Sequence, residues 1–143
     1  MTQNAVYKAS RVANEQVTAW LSDHAVIVED GLIADVLPQS ALPGGIGDTH
    51  EVHDLGDVSL LPGLIEAHAH MHTAAGPDPL YTQFSAFNDS KEFFIARAVD
   101  HIRTTLLSGV TTVRDLGGPT DVAFPDRDAV RAGVIPGPRL QLA

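Results

Sequence analysis

A chain of 143 residues with 44% hydrophobic and 19% charged residues has enough apolar material for a packed core and is not a disordered polymer. Nine Lys and Arg against eighteen Asp and Glu leave a formal net charge of −9 with no basic block, which argues against a nucleic-acid or anionic-membrane surface. The absence of cysteine excludes disulfides, thiolate zinc sites and a Cys nucleophile.

Residues 1–60 read as short strands. Ala25-Val26-Ile27-Val28 and Leu32-Ile33-Ala34-Asp35-Val36 flank Glu29-Asp30-Gly31, and an Asp-Gly pair between β-branched runs predicts a hairpin, because Gly accepts the positive φ of the turn. Residues 38–50 are a loop by composition, and its Gly44-Gly45-Ile46-Gly47 run lacks the following helix and Lys-Ser/Thr pair of a phosphate loop. Residues 51–55 and 58–61 read as two more strands around Gly56-Asp57. After Pro62 the period changes. Residues 64–70 predict a strand that ends in polar side chains, and 72–88, with Gly76, Pro77 and Pro79, a long loop. Asp89 as N-cap, with Glu92 three residues on, then opens a helix. Phe94, Ile95, Ala98, Val99, Ile102 and Leu106 follow at helical spacing as its buried face, and Gly109 stops it. Residues 110–115 predict a second strand ending in Leu116-Gly117-Gly118, 125–132 a short helix with Pro near its first turn, and 140–143 the opening of a third strand. Strands alternating with helices imply an α/β fold with a parallel sheet, whose functional loops lie at the carboxyl ends of the strands.

Alternation along the strand 64–70 puts Leu64, Glu66, His68 and His70 on one face. It puts Ile65, Ala67 and Ala69 on the other, where they can pack under helices. Two imidazoles two residues apart at a strand's end can converge on one ion, and neutral imidazole suits Zn, Mn, Fe or Ni. With no thiolate in the chain, the other donors must be His or carboxylate, which fits an open catalytic site better than a closed structural one. Seven His in 143 residues would also yield close pairs by chance. The Pro-Gly start, the parallel strand and the long loop after it favour the ligand reading.

The run Pro62-Gly63-Leu64-Ile65-Glu66-Ala67-His68-Ala69-His70 resembles the signature of the amidohydrolase superfamily, in which Pro-Gly-Leu-Ile-Asp leads into His-x-His on the first barrel strand. GVTTVRDLGG (109–118) resembles that superfamily's second barrel strand, and AGVIPGPRL (132–140) the approach to its third. Both are most like the subgroup of imidazolonepropionase-like and prolidase-like (Xaa-Pro dipeptidase-like) enzymes. EDGLIADVL (29–37) resembles the small β-sandwich these enzymes carry beside the barrel.

The resemblance implies a small N-terminal β-sandwich domain over 1–60 and the first β/α units of a (β/α)8 TIM barrel over 61–143. It implies a metal-dependent hydrolase that cuts amide or related C–N bonds in a small-molecule or dipeptide substrate by metal-activated water. His68 and His70 would bind the more buried ion of a one- or two-metal site, zinc being the expected metal. A homo-oligomer is expected of the complete protein. The alternatives within the superfamily are a deaminase or a cyclic-amide hydrolase, which Val-Thr-Thr-Val-Arg-Asp mildly disfavours.

Two departures stand out. Glu66 stands where the family more often has Asp; it either supports a ring or a neighbouring donor from behind or merely lines the barrel. A full barrel takes about 250 residues, and the part after residue 60 is roughly a third of that. The family's later ligands, a carboxylated Lys or a Glu, two further His and a water-activating Asp, have no segment here. The expectation is therefore one piece of a longer polypeptide, or a catalytically incomplete subunit that needs a partner chain carrying the rest of the barrel. It would be inactive alone, and no catalytic base or nucleophile is assigned.

Among other candidates, His72 could line the substrate entrance, though a solvated loop position is the stronger reading. Asp115 could touch substrate or cap the Gly117-Gly118 turn, and Tyr81 could approach substrate from the long loop or anchor packing. Arg114 reads as structural. His50 and His53 fall on opposite faces of a strand, His101 lies on the helix 91–108, and His24 has no partner nearby in sequence. The N-terminal MTQNAVYKASRVANEQ lacks a signal-peptide pattern, and no window approaches the roughly 18 apolar residues of a span. The expected setting is the cytoplasm, with no membrane and no nucleic-acid partner.

Overall fold

The computed structural model describes residues 4–74 and 78–143. It divides into two units, Met1–Pro62 and Gly63–Ala143.

The first unit is built around β1 (Ala5–Ala13), which pairs antiparallel with β2 (Trp20–Glu29) and parallel with β4 (Glu51–Asp54) and β5 (Ser59–Leu60). β3 (Leu32–Pro38) adds antiparallel to β2, so the main path runs β3-β2-β1-β4. Neighbouring side chains along β1 and β2 point to opposite faces and feed two small clusters. Val6, Ala25 and Ile27 pack with Leu37, Leu42 and Ile46, while Ala9, Val12 and Val26 pack with Val28 and Leu60. The β2–β3 connection is the expected hairpin. Glu29 pairs with Leu32 across Asp30 and Gly31, whose φ values of 50° and 78° are those of a type I′ turn. The 38–50 loop holds two single-turn 3-10 helices, Gln39–Ala41 and Ile46–Asp48. Among the described residues the strands of this unit are hydrogen-bonded into one five-stranded sheet.

In the second unit, β6 (Leu64–Ala69), β7 (Val110–Asp115) and β8 (Arg139–Leu142) form a parallel sheet in that order. Helices α1 (Pro79–Asn88) and α2 (Lys91–Leu107) join β6 to β7, and α3 (Thr120–Arg131) joins β7 to β8. Ala98 and Ile102 of α2 meet Met71, Val113 and Leu140 in the core, with Ala69, Val110, Val130, Ile135 and Leu142 around them. No helix among the described residues is long and apolar enough to cross a membrane.

Several boundaries differ from the sequence expectation. Of the stretch expected as loop, 79–88 is helix: Asp78 accepts the Leu80 N–H at 2.9 Å, and Pro79 stands at the first helical position, where its fixed φ suits and its missing N–H costs nothing. Gly76 and Pro77 lie outside the described residues. The N-cap of α2 is Ser90, which accepts the Phe93 N–H at 3.3 Å. Asp89 instead ends α1, and its carboxylate accepts from the Ser85 hydroxyl and the Arg97 guanidinium. Together these two bonds hold its pKa below the ordinary carboxylate value. α3 begins at Thr120, so Pro125 sits inside it, where burial of Val122 and Ala123 outweighs one missing N–H. Finally, β6 is an edge strand of the sheet among the described residues, and its register against β7 shifts twice. Ile65 is 73% exposed instead of lying under a helix, and Ala69 is the residue of that face that joins the core.

The approach to β8 is tight. A Cβ at Gly137 would come within 2.3 Å of Ile102 Cγ2 and 2.9 Å of Val130 Cγ2. Gly137→Ala is expected to cost about 1–3 kcal/mol by overpacking. Gly44→Ala, whose Cβ meets nothing within 4 Å, stays within about 0.5 kcal/mol. Urea unfolding of both variants is the check.

Candidate metal centre

The edge strand β6 delivers His68 and His70 side by side. Their ring centroids are 5.3 Å apart with planes at 71°, and both residues are exposed. Nδ1 of His70 lies 3.0 Å from the carbonyl oxygen of Gly117. A carbonyl only accepts, so Nδ1–H donates and the Nε2 lone pair is left for another partner. Metal-bound histidines almost always show this arrangement, with the far ring nitrogen held by a carbonyl or carboxylate. Glu66 directs its Oε1 to the backbone N–H of His68 at 2.8 Å and so supports the strand at that residue.

Asp115, at the end of β7, is buried. Its Oδ1 accepts the Gly117 N–H at 3.1 Å and its Oδ2 the Met71 N–H at 3.3 Å. The turn-capping bond to Gly117 is therefore present. Arg114 donates from Nε to the Ala67 carbonyl at 2.9 Å, a structural bond between neighbouring strands.

His72 departs most from expectation. It is 2% exposed, so it is not a solvated loop residue, and it lines a cavity with Thr82, Ser85, Phe94 and Gly118. The turn after β6 tucks it beneath α3, where Nε2 shares a hydrogen bond with Asp126 Oδ2 at 3.2 Å. Its Nδ1 lies 3.7 Å from Asp115 Oδ2, beyond hydrogen-bond reach. Arg97 Nη1 donates to its carbonyl at 3.2 Å. Gly118 leaves room for the ring, since a Cβ there would stand 2.4 Å from Nδ1. Burial raises the Asp126 pKa above its ordinary value, with the His72 hydrogen bond and charge pulling the other way. Sequence reading did not single out Asp126, because an acid in a helix looks like a solvated one until the fold brings a histidine 54 positions away onto it.

The remaining candidates do not join the pair. Tyr81 sits in the first turn of α1, 49% exposed, on a helix and not in a loop. His101 donates from Nδ1 to the Met71 carbonyl at 3.0 Å. His53 stacks on Tyr7 at 4.9 Å, His50 Nε2 lies 3.4 Å from Glu29, and His24 donates to the Ser22 carbonyl at 2.7 Å. Among the described residues no group of three or more His, Cys, Asp or Glu comes together. The chemistry of the His68–His70 pair fits a divalent metal as two donors of a shell that needs more.

The raised Asp126 pKa has a pH signature. A carboxyl with a folded pKa above its unfolded value near 3.8 stabilises the fold while protonated. That contribution is full below about pH 4 and is lost as pH rises through the raised value. Asp126→Asn is expected to flatten this fall, read as the urea midpoint from acid to neutral pH; a slope unchanged from wild type would contradict it.

Residues 59–143 match the family model of the amidohydrolase family, and 16–55 match the NagA composite domain. No curated protein matches the chain. Among solved structures, it is similar to a prolidase complexed with N-methylphosphonate-L-proline, with a TM-score of 0.77 and 21% identity over 98% of this chain and 31% of that one. It is similar to A. niger ochratoxinase, at TM-score 0.77 and 23% identity over 98% and 31%. A Xaa-Pro dipeptidase with bound methionine in the active site gives TM-score 0.71 and 22% identity over 99% and 33%. These likenesses speak for the fold, and the chain spans about a third of the length of each structure. The family model covers more than half of the chain, from β5 to the last strand and including His68 and His70: the chain belongs to the amidohydrolase family.

Proposed function

We propose that the chain carries the first metal-holding strand of a hydrolase that cuts amide or related C–N bonds. The observation that carries this reading is the His70 ring, with Nδ1–H committed to Gly117 and Nε2 without a hydrogen bond among the described residues, beside His68 at the carboxyl end of a parallel strand. His68 and His70 would hold a divalent ion, zinc being the expected one. Such an ion supplies Lewis acidity toward a carbonyl and activates water. The protein's own part is to keep both imidazoles as donors. Gly117 holds the His70 proton on the far nitrogen, and Glu66 braces the backbone at His68.

Two imidazoles do not complete a hydrolytic site. The other donors, and the rest of the (β/α)8 barrel, would come from further sequence of the same protein or from a partner chain, and the described residues alone would be inactive. The prolidase and Xaa-Pro dipeptidase among the similar structures support a dipeptide-like substrate.

In the complete protein, His68→Ala and His70→Ala are expected to lose bound metal through dialysis and to lower hydrolysis more than about 100-fold, with the fold kept. Metal analysis beside circular dichroism is the check. Wild-type metal content in His68→Ala would remove His68 from the site.

A further inference from the structure

Asp115, the last residue of β7, and the two residues after it bracket His70 along the chain. Leu116 N–H donates to the carbonyl of Ala69, the residue before it, at 3.0 Å. Asp115 Oδ2 accepts the N–H of Met71, the residue after it, at 3.3 Å. The Gly117 carbonyl accepts from the His70 ring at 3.0 Å. Asp115 bears on two of these three contacts, because its Oδ1 also takes the Gly117 N–H at 3.1 Å and holds in place the residue whose carbonyl meets the ring. Asp115 is 3% exposed, and its carboxylate spends one oxygen on each bond. A buried acid with both oxygens on backbone donors is a rigid clamp, since each bond to a charged acceptor is stronger than a neutral one and has no competing water.

We infer that Asp115 is a positioning residue for His70, acting through the Met71 and Gly117 backbones to set the ring's place and to keep its proton on Nδ1. This deepens the metal-site reading and rests on it. In this role Asp115 acts through the backbone and selects which nitrogen of His70 faces outward. Asp126 is the natural comparison. It is also a buried acid beside His72, but it makes no bond to the residues that bracket His70.

The test uses the full protein freed of metal, with Zn2+ as the probe. At alkaline pH, where imidazole is neutral, ring nitrogen shifts are expected to show His70 as the Nδ1–H tautomer; an Nε2–H ring overturns the inference. Asp115→Asn keeps the size but not the charge or the paired acceptors. It is expected to weaken Zn2+ binding, measured by chelator competition, about 10–100-fold and to mix the His70 tautomers. Asp126→Asn is expected to change stability while holding Zn2+ affinity within about 2-fold. Equal loss of affinity in both variants, or none in a folded Asp115→Asn, overturns the inference. Where Asp115→Asn does not fold, the wild-type tautomer decides. A wild-type protein that binds no Zn2+ sinks the metal reading itself, and the tautomer then still decides whether the clamp orients the ring.

Discussion

The hydrogen bond from His70 Nδ1–H to the Gly117 carbonyl is the constraint on which the site depends. An exposed imidazole on an edge strand can rotate and exchange between two tautomers; anchoring one nitrogen removes both freedoms and leaves one lone pair with a fixed direction. That anchor requires β6 and β7 to lie parallel with the Gly117 turn level with the end of β6. The crossover through α2, whose Ala98 and Ile102 fill the core under Val113, secures this pairing.

The cost of the arrangement falls on the layer beneath. His72, Asp115 and Asp126 are all buried, and buried carboxylates are tolerated only when hydrogen-bonded. Asp115 is satisfied by two backbone donors and Asp126 by His72. Gly118 matters for the same reason, since any side chain there would displace the His72 ring. The exposed, chemically useful pair thus stands on a polar layer shielded from water.

Much of this was legible in the sequence, and the parts that were not share a cause. His68 and His70 could be paired from their spacing alone, because strand alternation is local. The Asp30-Gly31 hairpin and the strand 110–115 were legible on the same grounds. β1 was not, since Ala5 and Val6 are both buried, on opposite faces, and erase the alternating pattern. α1 was hidden by Pro77 and Pro79, although Asp78 before Pro79 is a cap signal in retrospect. The burial of His72 could not be read at all: its partners come from β7 and α3, and an exposed expectation is the default for a histidine after a strand. Gly117 was visible as a turn residue, but the use of its carbonyl belongs to the fold.

The account's central claim is that Nε2 of His70 and a nitrogen of His68 share one ion at the carboxyl end of β6. Anomalous diffraction at the zinc edge from crystals of the full protein grown with Zn2+ tests it most directly. The predicted result is a peak about 2.0–2.1 Å from both imidazoles, with His70 bound through Nε2 and its Nδ1 still on Gly117. A peak elsewhere, or His70 bound through Nδ1 with the Gly117 bond broken, would contradict it.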